Sequence, residues 1–228
     1  MTKLIKNIYQ FHRSLFLMYT CVALLITLLS IFLISKPLPL LFALLTLCGV
    51  FFNSLLFKNG QLFFAFAAVV YIIMAYSERF FGELIIYAIF VVLYIVSFLR
   101  WDNNRKKTKI RSMSLFEFSV MGIILITCTP IYYFFLYNIN TSQLIINSIS
   151  TMINCFAVYC TVKKMWQQFY FWIMINFIQA LLWTTTFSID NLNSMPILLS
   201  NIFLFSINIY NLFKWKNNYV TNIEGQRS

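Results

Sequence analysis

Charge is scarce in this sequence. Only 10% of its 228 residues are Asp, Glu, Lys or Arg, against 61% hydrophobic, so a water-facing shell around one soluble core cannot be assembled from it. The six acidic residues form no ladder of carboxylates within the apolar runs, which gives proton or sodium coupling no support. The single histidine, His12, lies in a basic N-terminal segment and reads as a solvated or headgroup-facing residue. There is no G-x-S-x-G, no H-E-x-x-H, no Walker lysine loop and no carboxylate pair on one face. A hydrolase working inside the membrane would need a base that is missing. The chain is therefore read as a non-enzyme, with no cofactor and no metal. Its five cysteines (Cys21, Cys48, Cys128, Cys155, Cys160) lie in apolar runs without a C-x-x-C pair, as small core residues and not disulfides or metal ligands.

What the sequence has in quantity is hydrophobic length. A hydrocarbon core about 30 Å thick takes roughly 20 apolar residues per helix, and eight stretches qualify or nearly so: 14–35, 38–57, 62–77, 82–99, 116–137, 143–162, 169–187 and 197–214. The first follows Lys3, Lys6 and Arg13 as a signal peptide would, yet its run is too long and lacks a small-x-small cleavage site. A net charge of +11 could suggest nucleic acid, but in a membrane protein Lys and Arg are first of all topology signals. With eight crossings, the side holding both termini receives every one of the 17 Lys and Arg except Lys36 and Arg79. That side is assigned to the cytoplasm, with anionic lipid headgroups as its partner and no nucleic acid.

The polar segment from Asp102 to Ser114 carries five basic residues and divides the chain. On either side the sequence echoes itself. Ser97-Phe-Leu-Arg-Trp-Asp-Asn-Asn104 matches Asn211-Leu-Phe-Lys-Trp-Lys-Asn-Asn218 at an offset of 114 residues. This predicts a 3+1+3 plan of parallel repeats behind one extra N-terminal helix. Its units are 1–37 (basic segment and extra helix), 38–101 (first three-helix bundle), 102–142 (basic loop and linker helix), 143–216 (second bundle) and 217–228 (cytoplasmic tail). Equally, Lys/Arg-Trp-polar can mark any cytoplasmic helix end, since both residue types favour that interface.

Positions i, i+4, i+7 and i+11 share one stripe of a helix. Trp172, Asn176, Gln179 and Trp183 have that spacing, with Gln168 and Thr186 extending it. Glu83, Tyr87, Tyr94, Ser97 and Trp101 form a second stripe, Asn201, Asn208 and Asn211 a third, and Asn147, Thr151 and Asn154 a fourth. Amides in hydrocarbon cost several kcal/mol if unpaired, so the stripes face other helices or a wet cavity. Two readings compete: interhelical glue at about 0.6 to 2 kcal/mol per bond, or a solute site whose aromatic faces sandwich a planar ring while amides grip its polar groups. Alternation of Trp and amide toward mid-span favours the second for the seventh helix. Glu83, one residue inside its helix, reads as a wet helix-end acid favoured by the helix dipole.

In order along the chain, Ala75-Tyr76-Ser77, Phe81-Gly82-Glu83, Trp101, Lys163-Lys164, Phe171-Trp-Ile-Met-Ile-Asn176 and Asn211 to Trp215 resemble the PnuC-type transporters of nicotinamide riboside and related vitamins. The resemblance covers roughly 45–216. Gln168 stands where the family has the first Trp of its W-x-x-x-W, with Trp166 displaced from it, and Ser97 and Asn211 stand at family glycines. The resemblance implies an all-α membrane carrier with a SWEET-like architecture of two triple-helix bundles, in a bacterial cytoplasmic membrane with both termini inside. It further implies facilitated diffusion of nicotinamide riboside and trapping by a cytoplasmic riboside kinase, and leaves a homo-oligomer open. Trp172, Asn176, Gln179, Trp183, Gln168, Tyr87, Glu83, Asn208 and Asn211 are the expected substrate-binding residues. The alternatives are a same-type carrier of thiamine, riboflavin or another nucleoside, a binding-only vitamin-capture subunit, and a membrane scaffold.

Overall fold

The computed structural model describes residues 2–32, 37–101, 110–184 and 195–227, with side chains over 16–31, 37–101, 110–184 and 195–220. Among these the chain is all-helical: α1 (Thr2–Phe32), α2 (Pro37–Ser54), α3 (Asn59–Ser77), α4 (Phe81–Arg100), α5 (Leu115–Asn138), α6 (Leu144–Val162), α7 (Gln168–Thr184) and α8 (Met195–Arg227). Six of them, α2 to α6 and α8, are long and apolar enough to cross a membrane. α7 has 17 residues, and within α1 the described apolar stretch is Phe16–Ile31. Helix is the form a spanning segment must take, because hydrocarbon offers no partner to a free backbone group. Hydroxyls inside the spans obey the same constraint: Thr27, Thr46 and Thr161 donate to carbonyls four residues back, at 2.7 to 2.8 Å.

Packing order follows chain order. α2, α3 and α4 form one group, α6, α7 and α8 another, with α5 against α6 and α1 against α2 and α8. The groups meet along α4–α6 and α2–α8. Only 11% of the apolar window of α5 is buried, against 61% for α6, so α5 is the peripheral helix. Phe118, Ile126, Ile131 and Phe134 are each at least 65% exposed on it, as suits side chains bathed in lipid tails.

Boundaries sit close to the expected ones, with three differences. α1 begins at Thr2, twelve residues before its apolar run. α3 begins at Asn59, since Asn59, Gly60 and Gln61 extend the helix one turn beyond its apolar run. α8 continues through 217–227, which hydropathy alone assigned to a tail. Trp101 and Trp215, the echoed tryptophans, are 4% and 0% exposed and share one cluster with Ile110, Phe169 and Leu212. The loop before α5 is fixed there too: Arg111 N–H donates to Lys164 O and Trp166 N–H donates to Arg111 O. Ser114 and Glu117 close a capping box on α5, and Arg111 pairs with Glu117. The expectation for Thr186, and those for the side chains of His12 and Lys36, lie outside the described residues.

Candidate functional site

Between the two helix groups lies a cavity of about 60 Å³. That is room for only a few waters, so it would have to widen to take a nucleoside. Phe42, Thr46, Val50 and Asn53 of α2 line one side, and the eleven helical rises between the first and the last spread them over about 16 Å of the helix axis. Phe64, Tyr87 and Tyr94 add aromatic faces from α3 and α4. Trp172, Asn176 and Gln179 of α7 face them, and α8 contributes Asn201 and Asn208. None of the lining residues is charged.

The aromatic faces are held by neighbours. Trp172 lies near-parallel to Phe64, 15° between planes and 6.4 Å between centroids, and its Nε1 donates to Thr161 Oγ1 at 3.0 Å. Tyr87 stacks on Tyr71 at 4.1 Å. The Tyr71 hydroxyl donates to Gln179 Oε1 at 2.9 Å. Three amide nitrogens on the lining, Asn176 Nδ2, Gln179 Nε2 and Asn201 Nδ2, are buried without a hydrogen-bond partner of normal geometry. An unmet buried donor costs about 1–3 kcal/mol, and buried polar groups without partners are the exception in native proteins. Beside a cavity they are groups prepared for a ligand or water.

Of the nine residues expected from sequence, Tyr87, Trp172, Asn176, Gln179 and Asn208 line the chamber. Trp183 stands one turn beyond it, edge-on to Phe80 and Tyr71, with Nε1 donating to Gln179 Oε1 at 3.2 Å. Gln168 is fully buried behind Asn53, whose Nδ2 donates to its Oε1 at 3.4 Å. Asn211 is also fully buried, beside the Tyr19 hydroxyl of α1.

Glu83 differs most from its sequence reading. It is 0% exposed, not a wet acid at a helix end. Ser150 Oγ and, at 3.3 Å, Asn154 Nδ2 donate to its carboxyl, and its own backbone N–H donates to Asn147 Oδ1 at 3.2 Å. The neighbouring Gly82 makes this burial feasible: a Cβ there would stand 2.5 Å from Asn147 Oδ1 and 2.9 Å from Leu136 Cδ1. Glu83 thus fastens α4 to α6.

Sequence reasoning missed Phe42, Thr46, Phe64 and above all Asn53. An amide near the end of an apolar run looks like a helix terminus, and no stripe on α2 flagged it. Its burial at 3% depends on α7, which is more than a hundred residues away in the chain.

The family model described as nicotinamide mononucleotide transporter matches residues 36–217. The nicotinamide riboside transporter PnuC of Neisseria mucosa is 18% identical over 178 residues, 74% of this chain and 67% of its own length. The crystal structure of the vitamin B3 transporter PnuC superposes with a TM-score of 0.78 at 16% identity, covering 91% of this chain and 92% of that one. Such a likeness establishes the fold, and the family match spans the helices that enclose the chamber. The chain is a multi-pass membrane transporter and belongs to the nicotinamide mononucleotide transporter family.

Proposed function

We propose that this protein carries nicotinamide riboside, or a closely related vitamin nucleoside, across a bacterial cytoplasmic membrane by facilitated diffusion. The observation that carries the reading is the uncharged, aromatic-walled slot with unpartnered amides between two helix groups. A pyridinium cation against Trp or Tyr faces gains about 0.5–2 kcal/mol, so Trp172 and Tyr87 suit a charged ring in a chamber that has no carboxylate. Asn176, Gln179 and Asn208 provide the hydrogen bonds. No coupling group lines the chamber, and uptake is made one-way by a cytoplasmic kinase that phosphorylates the riboside. The units 38–101 and 143–216 act as the two moving bundles. Both termini are cytoplasmic, as the distribution of Lys and Arg favours.

Counterflow in proteoliposomes tests the function. Vesicles preloaded with unlabelled riboside should accumulate labelled riboside transiently without ATP or an ion gradient. If they accumulate none while the folded protein still binds riboside, the chain is a capture subunit and not a carrier. A parallel thermal-shift series with thiamine and riboflavin separates the same-type carriers, because a ligand that binds only the folded state raises its stability.

A further inference from the structure

Two amides mark the ends of the slot, and their hydrogen-bond inventories differ. Gln179 Oε1 accepts from both the Tyr71 hydroxyl and the Trp183 indole. An amide oxygen has two lone-pair sites, so Gln179 has only its two N–H groups left to offer, and one of them faces the buried Glu83 carboxyl. A flip of the amide would set its NH₂ against two donors, so its orientation is fixed by its neighbours. Asn53, at the opposite end, donates from Nδ2 to Gln168 Oε1 and accepts at Oδ1 from Gln61 Nε2, both at 3.4 Å. This uses one of two N–H groups and one of two lone pairs. Asn53 therefore presents a donor and an acceptor together. Behind it Gln61 and Gln168 are each 0% exposed, and Gln61 Oε1 and Gln168 Nε2 have no partner. Amides gathered only to glue helices would not leave half of their capacity unmet.

We propose that these two ends orient the solute: Gln179 receives a carbonyl oxygen, and Asn53, positioned by Gln61 and Gln168, binds hydroxyl groups, which both donate and accept. This rests on the riboside reading and deepens it. The carboxamide ring lies among Trp172, Phe64 and Tyr87 with its carbonyl at Gln179. The ribose points toward Asn53, at the end of the bundle where Lys214 Nζ donates to Ser54 O. Asn53 and Gln179 are then the residues that set specificity at the two ends, and Gln61, Gln168, Tyr71 and Trp183 are positioning residues.

The test crosses ligands with variants of the purified full-length protein. Nicotinamide riboside, its 2′,3′-dideoxy analogue and the pyridine riboside lacking the carboxamide are titrated against wild type, Asn53→Leu, Asn53→Asp, Gln168→Leu and Gln179→Leu. Wild type should lose about tenfold in affinity for either truncated ligand, the worth of one or two good hydrogen bonds. In Asn53→Leu and Gln168→Leu, removing the hydroxyls should cost no more than about twofold, while removing the carboxamide still costs about tenfold; Gln179→Leu should show the reverse. Asn53→Asp keeps the size and the acceptor but loses the donor, and should show the Asn53→Leu pattern in weaker form even if the leucine variant fails to fold. Equal losses for all three ligands in every variant would overturn the orientation and leave the riboside reading standing. A folded wild type that binds none of the three would overturn the riboside reading, and the orientation with it.

Discussion

Trp183 and Gln179 stand one turn apart on α7, and the indole N–H of the first donates to the amide oxygen of the second at 3.2 Å. The tryptophan is 3% exposed and packs edge-on against Phe80 and Tyr71, so it acts on the chamber through Gln179 and not as one of its walls. Trp183→Phe keeps most of the ring and deletes the donor. Riboside affinity should fall about three- to tenfold, corresponding to about 0.5–1.5 kcal/mol for one hydrogen bond, beside a lower thermal midpoint from the smaller buried ring. An unaltered affinity in calorimetry would refute the positioning role.

Asn176 and Asn211 test whether the chamber, rather than burial as such, selects the binding amides. They are 6% and 0% exposed, yet only Asn176 lines the cavity. Asn176→Ala should weaken riboside binding about five- to tenfold, whereas Asn211→Ala should lower the thermal midpoint and leave affinity within about twofold. Equal losses of affinity in the two variants would mean that the lining does not define the site.

Helical periodicity made much of this legible. Residues i, i+4 and i+7 share a face whatever the fold, so Trp172, Asn176 and Gln179 were found together in the sequence and stand together on the cavity. The eight helices followed from hydropathy because lipid fixes the length and form of a span. What a stripe cannot encode is depth behind the wall. Gln168 and Trp183 share the face of α7 but lie at its ends, where neighbouring helices cover them. Glu83 looked wet because its position in α4 is terminal. Its burial comes from Gly82 letting α6 approach closely, a tertiary fact.

Glu83 should therefore behave as a structural clamp. Glu83→Ala leaves Asn154 Nδ2 without its acceptor and Ser150 Oγ with the Asn147 carbonyl alone in a fully buried site, and should cost about 1–3 kcal/mol. Thermal unfolding in detergent should show a drop of several degrees. Glu83→Gln, which keeps one acceptor oxygen, should fall between it and wild type. A variant as stable as wild type would exclude the clamp.

Gly60 and Gly122 have opposite surroundings. At Gly60 a Cβ would meet the Asn53 backbone N at 2.8 Å and Gly49 O at 2.9 Å, both main-chain atoms that cannot rotate away. Gly60→Ala must push α3 from α2, at a cost typical of overpacking, about 1–3 kcal/mol. The displaced residue is Asn53 itself, so the penalty for deleting the riboside hydroxyls should shrink along with the thermal midpoint. At Gly122 of α5 nothing lies within 4 Å, and alanine is the better helix former by about 0.5–1 kcal/mol. Gly122→Ala should hold or raise the midpoint and leave binding and counterflow as in wild type. A Gly60→Ala protein that keeps full hydroxyl discrimination would separate Asn53 from ligand recognition, however unstable it proved.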